Sequence, residues 1–111
     1  MRIATDTYHL TAEPGGTASL VVDVVNTGEV IDGVSAHILG VPDEWVSSRP
    51  ALLPLFPDAG GQVTLSVAVP PTLPAGLHAL TVEVVSHGAR LPSQYLDLDL
   101  DVAPHPGFTL A

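Results

Sequence analysis

The chain has 111 residues, of which 46% are hydrophobic and only 5% aromatic, enough for one domain with an aliphatic core. Twelve acidic residues oppose three arginines, there is no lysine, and the formal net charge is -9. A surface of this sign repels phosphate groups, so the composition argues against nucleic acid and anionic lipid as partners. The absence of cysteine rules out disulfides and thiolate metal sites.

Short apolar runs that alternate with period two follow one another along the chain, separated by turns rich in glycine and proline. This pattern predicts β-strands and no helix of useful length. The seven predicted strands lie within residues 3–11, 17–26, 34–41, 51–55, 62–69, 77–87 and 94–102. Asn26 and Asp32 are predicted to form side-chain turns in the loop between the second and third strands.

The longer predicted strands each have one apolar face, which is typical of two sheets packed around a core. The inward side chains are predicted to be Ala18, Leu20, Val22 and Val24; Val34, Ala36 and Ile38; Val63, Leu65, Val67 and Val69; and Leu80, Val82 and Val84. Strands joined by turns without helices indicate an all-β, antiparallel β-sandwich of about seven strands. The single tryptophan, Trp45, is predicted to cap one end of the core.

We assign residues 1–103 to the sandwich domain and residues 104–111, PHPGFTLA, to a linker or the start of a following domain. A frayed C-terminus is the alternative. The N-terminal segment has no apolar region typical of a signal peptide, and no apolar run approaches the ~18 residues that a membrane helix needs. The expected location is therefore cytoplasmic if Met1 is the native start, and cell-surface or secreted if the segment is an excised domain.

Four stretches, in this order, resemble a known family of bacterial immunoglobulin-like domains. They are PGGTASLVVDVVNTG, GVPDEWVSS, LPLFPDAGGQVTLSVAVP and PAGLHALTVEVVSHG. Together they resemble the NEW3 type, associated with α-galactosidases and repeat-containing membrane proteins, and the related CARDB adhesion modules. The resemblance covers about residues 14–102 and implies an immunoglobulin-like fold and a non-catalytic module, often in tandem. The turn at residues 57–61 is longer than the family's usual Pro-Gly.

No pattern in the sequence resembles a catalytic or cofactor-binding motif. Ser47 and Ser48 have no histidine at a recognisable spacing, and there is no Gly-x-Ser-x-Gly. The glycine pairs at residues 15–16 and 60–61 lie between strands, so no phosphate-binding loop is predicted. The five histidines include no His-x-His or His-x-x-x-His pair, so a zinc site would need distant segments. We predict that the protein is not an enzyme and binds no cofactor.

The last predicted strand contains YLDLDLDV, in which Asp97, Asp99 and Asp101 alternate with leucines. Residues two apart on a strand are separated by ~6.8 Å, whereas the ligands of one calcium ion lie within ~2.6 Å of it. Three successive aspartates of one strand therefore do not form a calcium site by themselves. The alternation predicts leucines facing the core and aspartates facing outward.

The neighbouring strands extend this surface. If His87 lies opposite Tyr95 in the last hairpin, Glu83 lies opposite Asp99, and these two carboxylates are a candidate for a weak divalent-cation site. The predicted outward set, called the acidic face below, consists of Asp97, Asp99, Asp101, Glu83, His87 and His37. It is interpreted as a solvated surface that opposes aggregation, as a docking surface for a basic partner or neighbouring domain, or as a weak cation site.

For the whole chain we predict a non-catalytic structural or protein-interaction module, one of a tandem set in a larger protein. Its expected partner is a protein or a neighbouring domain, with no membrane insertion by this segment. One alternative is a carbohydrate-binding accessory domain of a glycoside-active enzyme. The aromatic residues available for it are Trp45, Tyr8, Tyr95, Phe56 and Phe108. The other alternative is a subunit of a larger assembly that pairs through an edge strand.

Overall fold

The structure, a computed structural model, describes residues 1–88 and 90–104. Within them the chain forms nine β-strands in two sheets, with one short 3-10 helix at Asp43–Trp45. The strands are β1 (Arg2–Ala4), β2 (His9–Ala12), β3 (Thr17–Val25), β4 (Asp32–Leu39), β5 (Val46–Arg49), β6 (Leu53–Leu55), β7 (Gly60–Ala68), β8 (Gly76–Ser86) and β9 (Gln94–Val102). The four-stranded sheet has the order β1-β3-β7-β5, and the five-stranded sheet has the order β2-β9-β8-β4-β6. The predicted β-sandwich is confirmed.

Both sheets contribute side chains to one aliphatic core. The inward faces predicted for β3, β4, β7 and β8 are all buried, including Val22, Val63 and Leu65 at 0% exposure. β9 adds Leu98, Leu100 and Val102 to the same core. Each buried valine or leucine side chain stabilises the fold by roughly 1.5–3 kcal/mol relative to an exposed one. Because aromatic residues are scarce, this aliphatic burial supplies most of the stability.

The first predicted strand is wrong in one respect, because it forms two short strands in different sheets. β1 pairs antiparallel with β3, whereas β2 pairs in parallel with β9. Between them, Thr5 Oγ1 donates to the Val21 carbonyl at 2.8 Å, and the Thr7 N–H donates to Thr5 Oγ1 at 3.2 Å. These side-chain bonds replace the strand ladder where the chain crosses from one sheet to the other.

The count of about seven strands is exceeded by two, because the first predicted strand is divided into β1 and β2 and because β5 is an additional strand. β6 is the edge strand predicted near residues 51–55, and it pairs with β4. β5 was not predicted, and it pairs with β7 at the edge of the other sheet. Strands of three or four residues carry little alternation, so their signal in the sequence is weak. Their shortness, and Pro54 within β6, limit pairing with other chains.

Trp45 lies at the end of the 3-10 helix that follows β4. Its side chain is half-buried and packs against the core. This agrees with the prediction that Trp45 caps one end of the core. Much of the indole surface is therefore already in contact with the protein.

The loop between β3 and β4 is held by two buried polar side chains. Asn26 Oδ1 accepts the Gly28 N–H at 2.9 Å, as the predicted side-chain turn requires. Its Nδ2 donates to the carbonyls of Val30 and Leu55 at 2.9 and 3.0 Å. Asp32 makes contacts that the prediction did not include, because its carboxylate accepts from Ser86 and Gly88 across the five-stranded sheet. The loop is therefore tied to β6 and β8.

The predicted linker at residues 104–111 falls almost wholly outside the described residues, so the domain boundary stays a prediction. β9 ends at Val102, and the Ala103 N–H donates to the Ala12 carbonyl at 2.9 Å. In the part of the chain that the structure describes, no helix has the length and hydropathy needed to cross a membrane.

Candidate functional site

The outer surface of the five-stranded sheet carries the acidic face predicted from the sequence. Along β9, Leu98 and Leu100 are buried while Asp97 and Asp99 are exposed, and Asp101 is half-buried. Glu83 on β8 is half-buried, and His37 on β4 and His87 just after β8 are exposed. Since period two governs each strand, these six residues share one face. The inward and outward assignment of YLDLDLDV is therefore confirmed.

The predicted hairpin register, however, is wrong by four residues. Glu83 lies opposite Tyr95, Thr81 opposite Asp97, and Ala79 opposite Asp99. The last two residues of β8, Val85 and Ser86, pair with β4 and extend beyond the ladder with β9. An even shift keeps every side chain on its predicted face but changes its partners.

This correction separates the two carboxylates suggested as a weak cation site. Glu83 faces Tyr95 across the strands, and the Tyr95 hydroxyl donates to Glu83 Oε2 at 3.3 Å. Asp99 instead has Ala79 on one side and His9 of β2 on the other. Among residues 1–88 and 90–104, no three His, Cys, Asp or Glu side chains are grouped so that they could hold a metal ion together.

The carboxylates of the acidic face make weak contacts. Thr81 Oγ1 donates to Asp97 Oδ1 at 3.0 Å. His9 Nε2 lies 3.8 Å from Asp101 Oδ2, and both side chains are about half exposed, so this ion pair is screened by solvent. The face thus remains available to a cationic group from outside.

A groove of about 420 Å³ runs over this face where β2 separates from β9. Its outer-face lining includes Tyr8, Ala79, Thr81, Asp97 and Asp99. Tyr8 is 52% exposed. An aromatic ring, a hydroxyl and two carboxylates therefore surround one shallow opening, which sequence reasoning missed because Tyr8 was placed inside a continuous first strand.

The same groove lies against an uncovered strand edge. The Asp99 N–H donates to the Tyr8 carbonyl at 3.0 Å, so the backbone groups of Asp99 point toward β2. Backbone groups two residues apart on a strand point the same way, and those of Asp97 and Tyr95 therefore face the same edge. The pairing of β2 with β9 begins only at Asp99, so within the described residues no strand covers this part of the edge.

A second cluster on this sheet joins two histidines distant in sequence. Ser35 Oγ lies 2.9 Å from His37 Nε2 and 2.7 Å from His87 Nε2. Ser35 alternates with the inward residues Val34 and Ala36 and so belongs to the outward side of β4, but it is only 6% exposed. Its nearness to His37 follows from their spacing on β4. Its nearness to His87 depends on the pairing of β4 with β8, which the sequence pattern does not specify.

His78 lies on β8 on the same side as Leu80, Val82 and Val84, near the beginning of the strand and at the rim of the core. It is half-buried, and its Nε2 lies 2.9 Å from the Pro74 carbonyl. This contact agrees with a histidine that is satisfied within the fold.

Solved structures resemble the whole sandwich. The CupB2 chaperone of Pseudomonas aeruginosa matches with a TM-score of 0.61 at 15% identity, over 89% of this chain and 55% of that one. A PapD-like domain of human CEP192 matches with a TM-score of 0.53 at 15% identity, over 90% of this chain and 82% of that one. A family 123 glycoside hydrolase from Clostridium perfringens matches with a TM-score of 0.72 at 10% identity, over 87% of this chain and 22% of that one.

These likenesses show the fold, which is an immunoglobulin-like β-sandwich. The chain spans about half the length of the chaperone it resembles. No family model matches the sequence, and no curated protein matches it either. The resemblance to NEW3 and CARDB modules therefore stays a prediction.

Proposed function

We propose that this chain is a non-catalytic protein-interaction module that binds an extended, basic protein segment along the uncovered edge of β9. The observation that carries the proposal is the groove beside that edge, lined by Tyr8, Thr81, Asp97 and Asp99. A segment lying there could pair with the backbone of Tyr95 and Asp97 as an added strand. Its alternate side chains would then project over the outer face of the sheet.

Charge favours a basic segment over a neutral one. The added strand would place every second side chain beside Tyr95 and Asp97, with the exposed carboxylate of Asp99 at the end of the uncovered edge. The chain as a whole carries a formal net charge of -9, so its field attracts cations toward this face. Tyr8 offers a ring surface on which a lysine or arginine side chain can pack.

The likeness to PapD-like chaperone domains agrees with a protein partner, as does the resemblance to tandem NEW3 and CARDB modules. A nucleophilic function for Ser35 is disfavoured by its position. The hydroxyl is buried beneath two imidazole rings, which leaves no path for a substrate carbonyl to approach it.

The test is a titration of isotope-labelled protein with a soluble peptide of alternating lysine and threonine, about ten residues long. We expect amide shift changes concentrated on β9, the exposed part of β2 and the facing residues of β8. Replacing Asp97, Asp99 and Asp101 together with asparagine should weaken binding about tenfold or more, since three partly screened charge contacts are lost.

The matched control removes three negative charges from outside the acidic face. Its substitutions are Glu29→Gln, Asp43→Asn and Asp58→Asn, all at exposed positions. This variant should bind within about twofold of the unaltered protein at physiological salt, where charges more than ~8 Å from the ligand are screened. Equal weakening by both variants, or shift changes spread evenly over the surface, would show non-specific attraction to an acidic protein and contradict the proposal.

A carbohydrate-binding accessory domain is the second candidate, favoured by the exposed ring of Tyr8 beside Asp97 and Thr81 in one groove. The glycoside hydrolase among the structural neighbours includes a part with this fold. Retardation in gels containing soluble polysaccharides, lost on Tyr8→Ala and retained on Phe56→Ala, would support it. Phe56 is the control because it is 69% exposed and does not line the groove.

The third candidate, a subunit that pairs with a second copy of itself at the same edge, is separated from the others by gel filtration. A concentration-dependent dimer that Asp97→Pro converts to a monomer would favour it, because proline removes a backbone N–H from the uncovered edge.

A further inference from the structure

Two imidazole rings converge on one point of the outer sheet face. His37 Nε2 and His87 Nε2 both lie within hydrogen-bonding distance of Ser35 Oγ, at 2.9 and 2.7 Å. His37 reaches this point because it follows Ser35 by two residues on β4. His87 reaches it because its N–H donates to the Gly33 carbonyl at 2.8 Å, which continues the register between β4 and β8.

The residue opposite His87 is a glycine, which leaves room on the outer face for an imidazole to lean toward Ser35. A Cβ built at Gly33 would lie 3.3 Å from a Leu52 side-chain methyl, so Leu52 covers the rest of that space. Both histidines are exposed whereas Ser35 is buried. Both rings belong to exposed residues, while their Nε2 atoms face the buried Ser35 hydroxyl.

Of the two Nε2 atoms, at most one can accept a hydrogen bond from the Ser35 hydroxyl. A serine hydroxyl carries a single proton, so it can donate to one Nε2 only, and the other ring must donate to the serine oxygen. Two Nε2 atoms aimed at one position match the ligand arrangement that late transition metals take from imidazole. Nothing in this arrangement suits calcium or magnesium, which take oxygen ligands.

We propose that His37 and His87 form a binding site for a divalent transition metal ion of the zinc, nickel and copper class. Ser35 Oγ occupies the point on which the two Nε2 atoms converge, so the rings must turn away from it to bring both nitrogens within the ~2.0–2.1 Å of a Zn–N bond. Water completes the coordination on the exposed side. Glu83 lies opposite His37 across the strands, and its carboxylate adds to the negative potential around the ion.

The site has two protein ligands, so its affinity for the ion is expected to be low. Structural zinc sites use four protein ligands and bind far more tightly. The ion here would be exchangeable, and its selectivity would follow the general order in which copper binds more tightly than nickel or zinc. The site differs from the proposed peptide groove in both residues and ligand chemistry, so the two can be tested separately.

The experiment is calorimetric titration of the untagged protein with ZnCl2 and with NiCl2, accompanied by thermal melting monitored by circular dichroism. We expect saturable binding with one ion per chain, and a melting midpoint raised by on the order of 10 °C at about a hundredfold excess over the dissociation constant. CaCl2 and MgCl2 should leave the midpoint unchanged. Absence of a saturable site for both transition metals would overturn the proposal.

Variants assign the ligands. His37→Ala and His87→Ala should each weaken binding by at least about tenfold, and His9→Ala, on the same sheet face, should not change it. Ser35→Ala should retain binding, because both imidazoles remain and only the hydroxyl between them is removed. Loss of the ion in His9→Ala, or full retention in both His37→Ala and His87→Ala, would contradict the assignment. Because His37 and His87 are both exposed, both alanine variants should remain folded, which circular dichroism checks before the titration.

Discussion

Replacing Leu100 with alanine is expected to lower the free energy of unfolding by about 3 kcal/mol and the melting temperature by about 10–15 °C. Leu100 has 0% exposure and is among the largest fully buried side chains. It lies on β9 between Leu10 of β2 and His78 of β8, one strand in from the edge of the five-stranded sheet. The alanine leaves a cavity that the surrounding strands, fixed by their ladders, cannot close.

The matched control is Leu77→Ala, the same substitution on the adjacent strand but on the outer face. Leu77 is 67% exposed and lies opposite Asp101. Its loss should change the free energy of unfolding by no more than about 0.5 kcal/mol. Urea denaturation of both variants checks the pair, and a similar effect of the two substitutions would show that β9 is not oriented with leucines inward and aspartates outward.

The inward and outward orientation of the long strands could be predicted because it depends on period two alone. In β3, β4, β7 and β8 each apolar side chain on one face is buried, and the sequence pattern contains that information directly. The sequence also indicates where the chain crosses from one sheet to the other within residues 3–11, although the predicted strand did not include this break. Inward positions are Ile3 and Thr5 before it and Leu10 and Ala12 after it, a change from odd to even numbers.

The pairing of strands could not be predicted in the same way. Register depends on where a turn begins, and the connection from β8 to β9 begins where Asp32 of β4 binds Ser86 and Gly88. That contact is long-range, and nothing near residues 86–88 marks it. The six residues of the acidic face therefore lie on one side of the sheet, as period two requires, while the pairing of Glu83 with Asp99 was wrong.

The two candidate sites follow from this difference. The groove beside Asp97 exists because β2 covers only part of β9, and the His37–His87 cluster exists because β4 pairs with β8 in one register. Each site depends on how two strands pair as well as on the alternation of apolar and polar residues along them. The predicted residues lie on one outer sheet face, but their chemistry depends on neighbours that only the topology supplies.

Asp32→Ala is expected to destabilise the protein by about 3 kcal/mol, because it removes a buried acceptor that holds three segments together. Asp32 is 4% exposed. Its Oδ2 accepts the Ser86 hydroxyl at 2.6 Å and its Oδ1 accepts the Gly88 N–H at 2.8 Å. Ser86 Oγ in turn accepts the Leu91 N–H at 3.2 Å, so one carboxylate orders both ends of the β8–β9 connection.

Without that carboxylate, the Ser86 hydroxyl loses its acceptor in a buried setting and the Gly88 N–H loses its acceptor in a part-buried one, and hydrogen bonds to a charged group are worth about 1.5–3 kcal/mol each. Asp32→Asn should lose less, since the amide oxygen can still accept from Gly88. Glu29→Ala, an exposed acid of the same loop, should be nearly neutral. Thermal melting ranks the three variants, and hydrogen exchange at Gly88 and Leu91 should rise selectively in Asp32→Ala. Equal stability of Asp32→Ala and Glu29→Ala would mean that the β8–β9 connection is ordered by other contacts, and the explanation given for the register would fail with it.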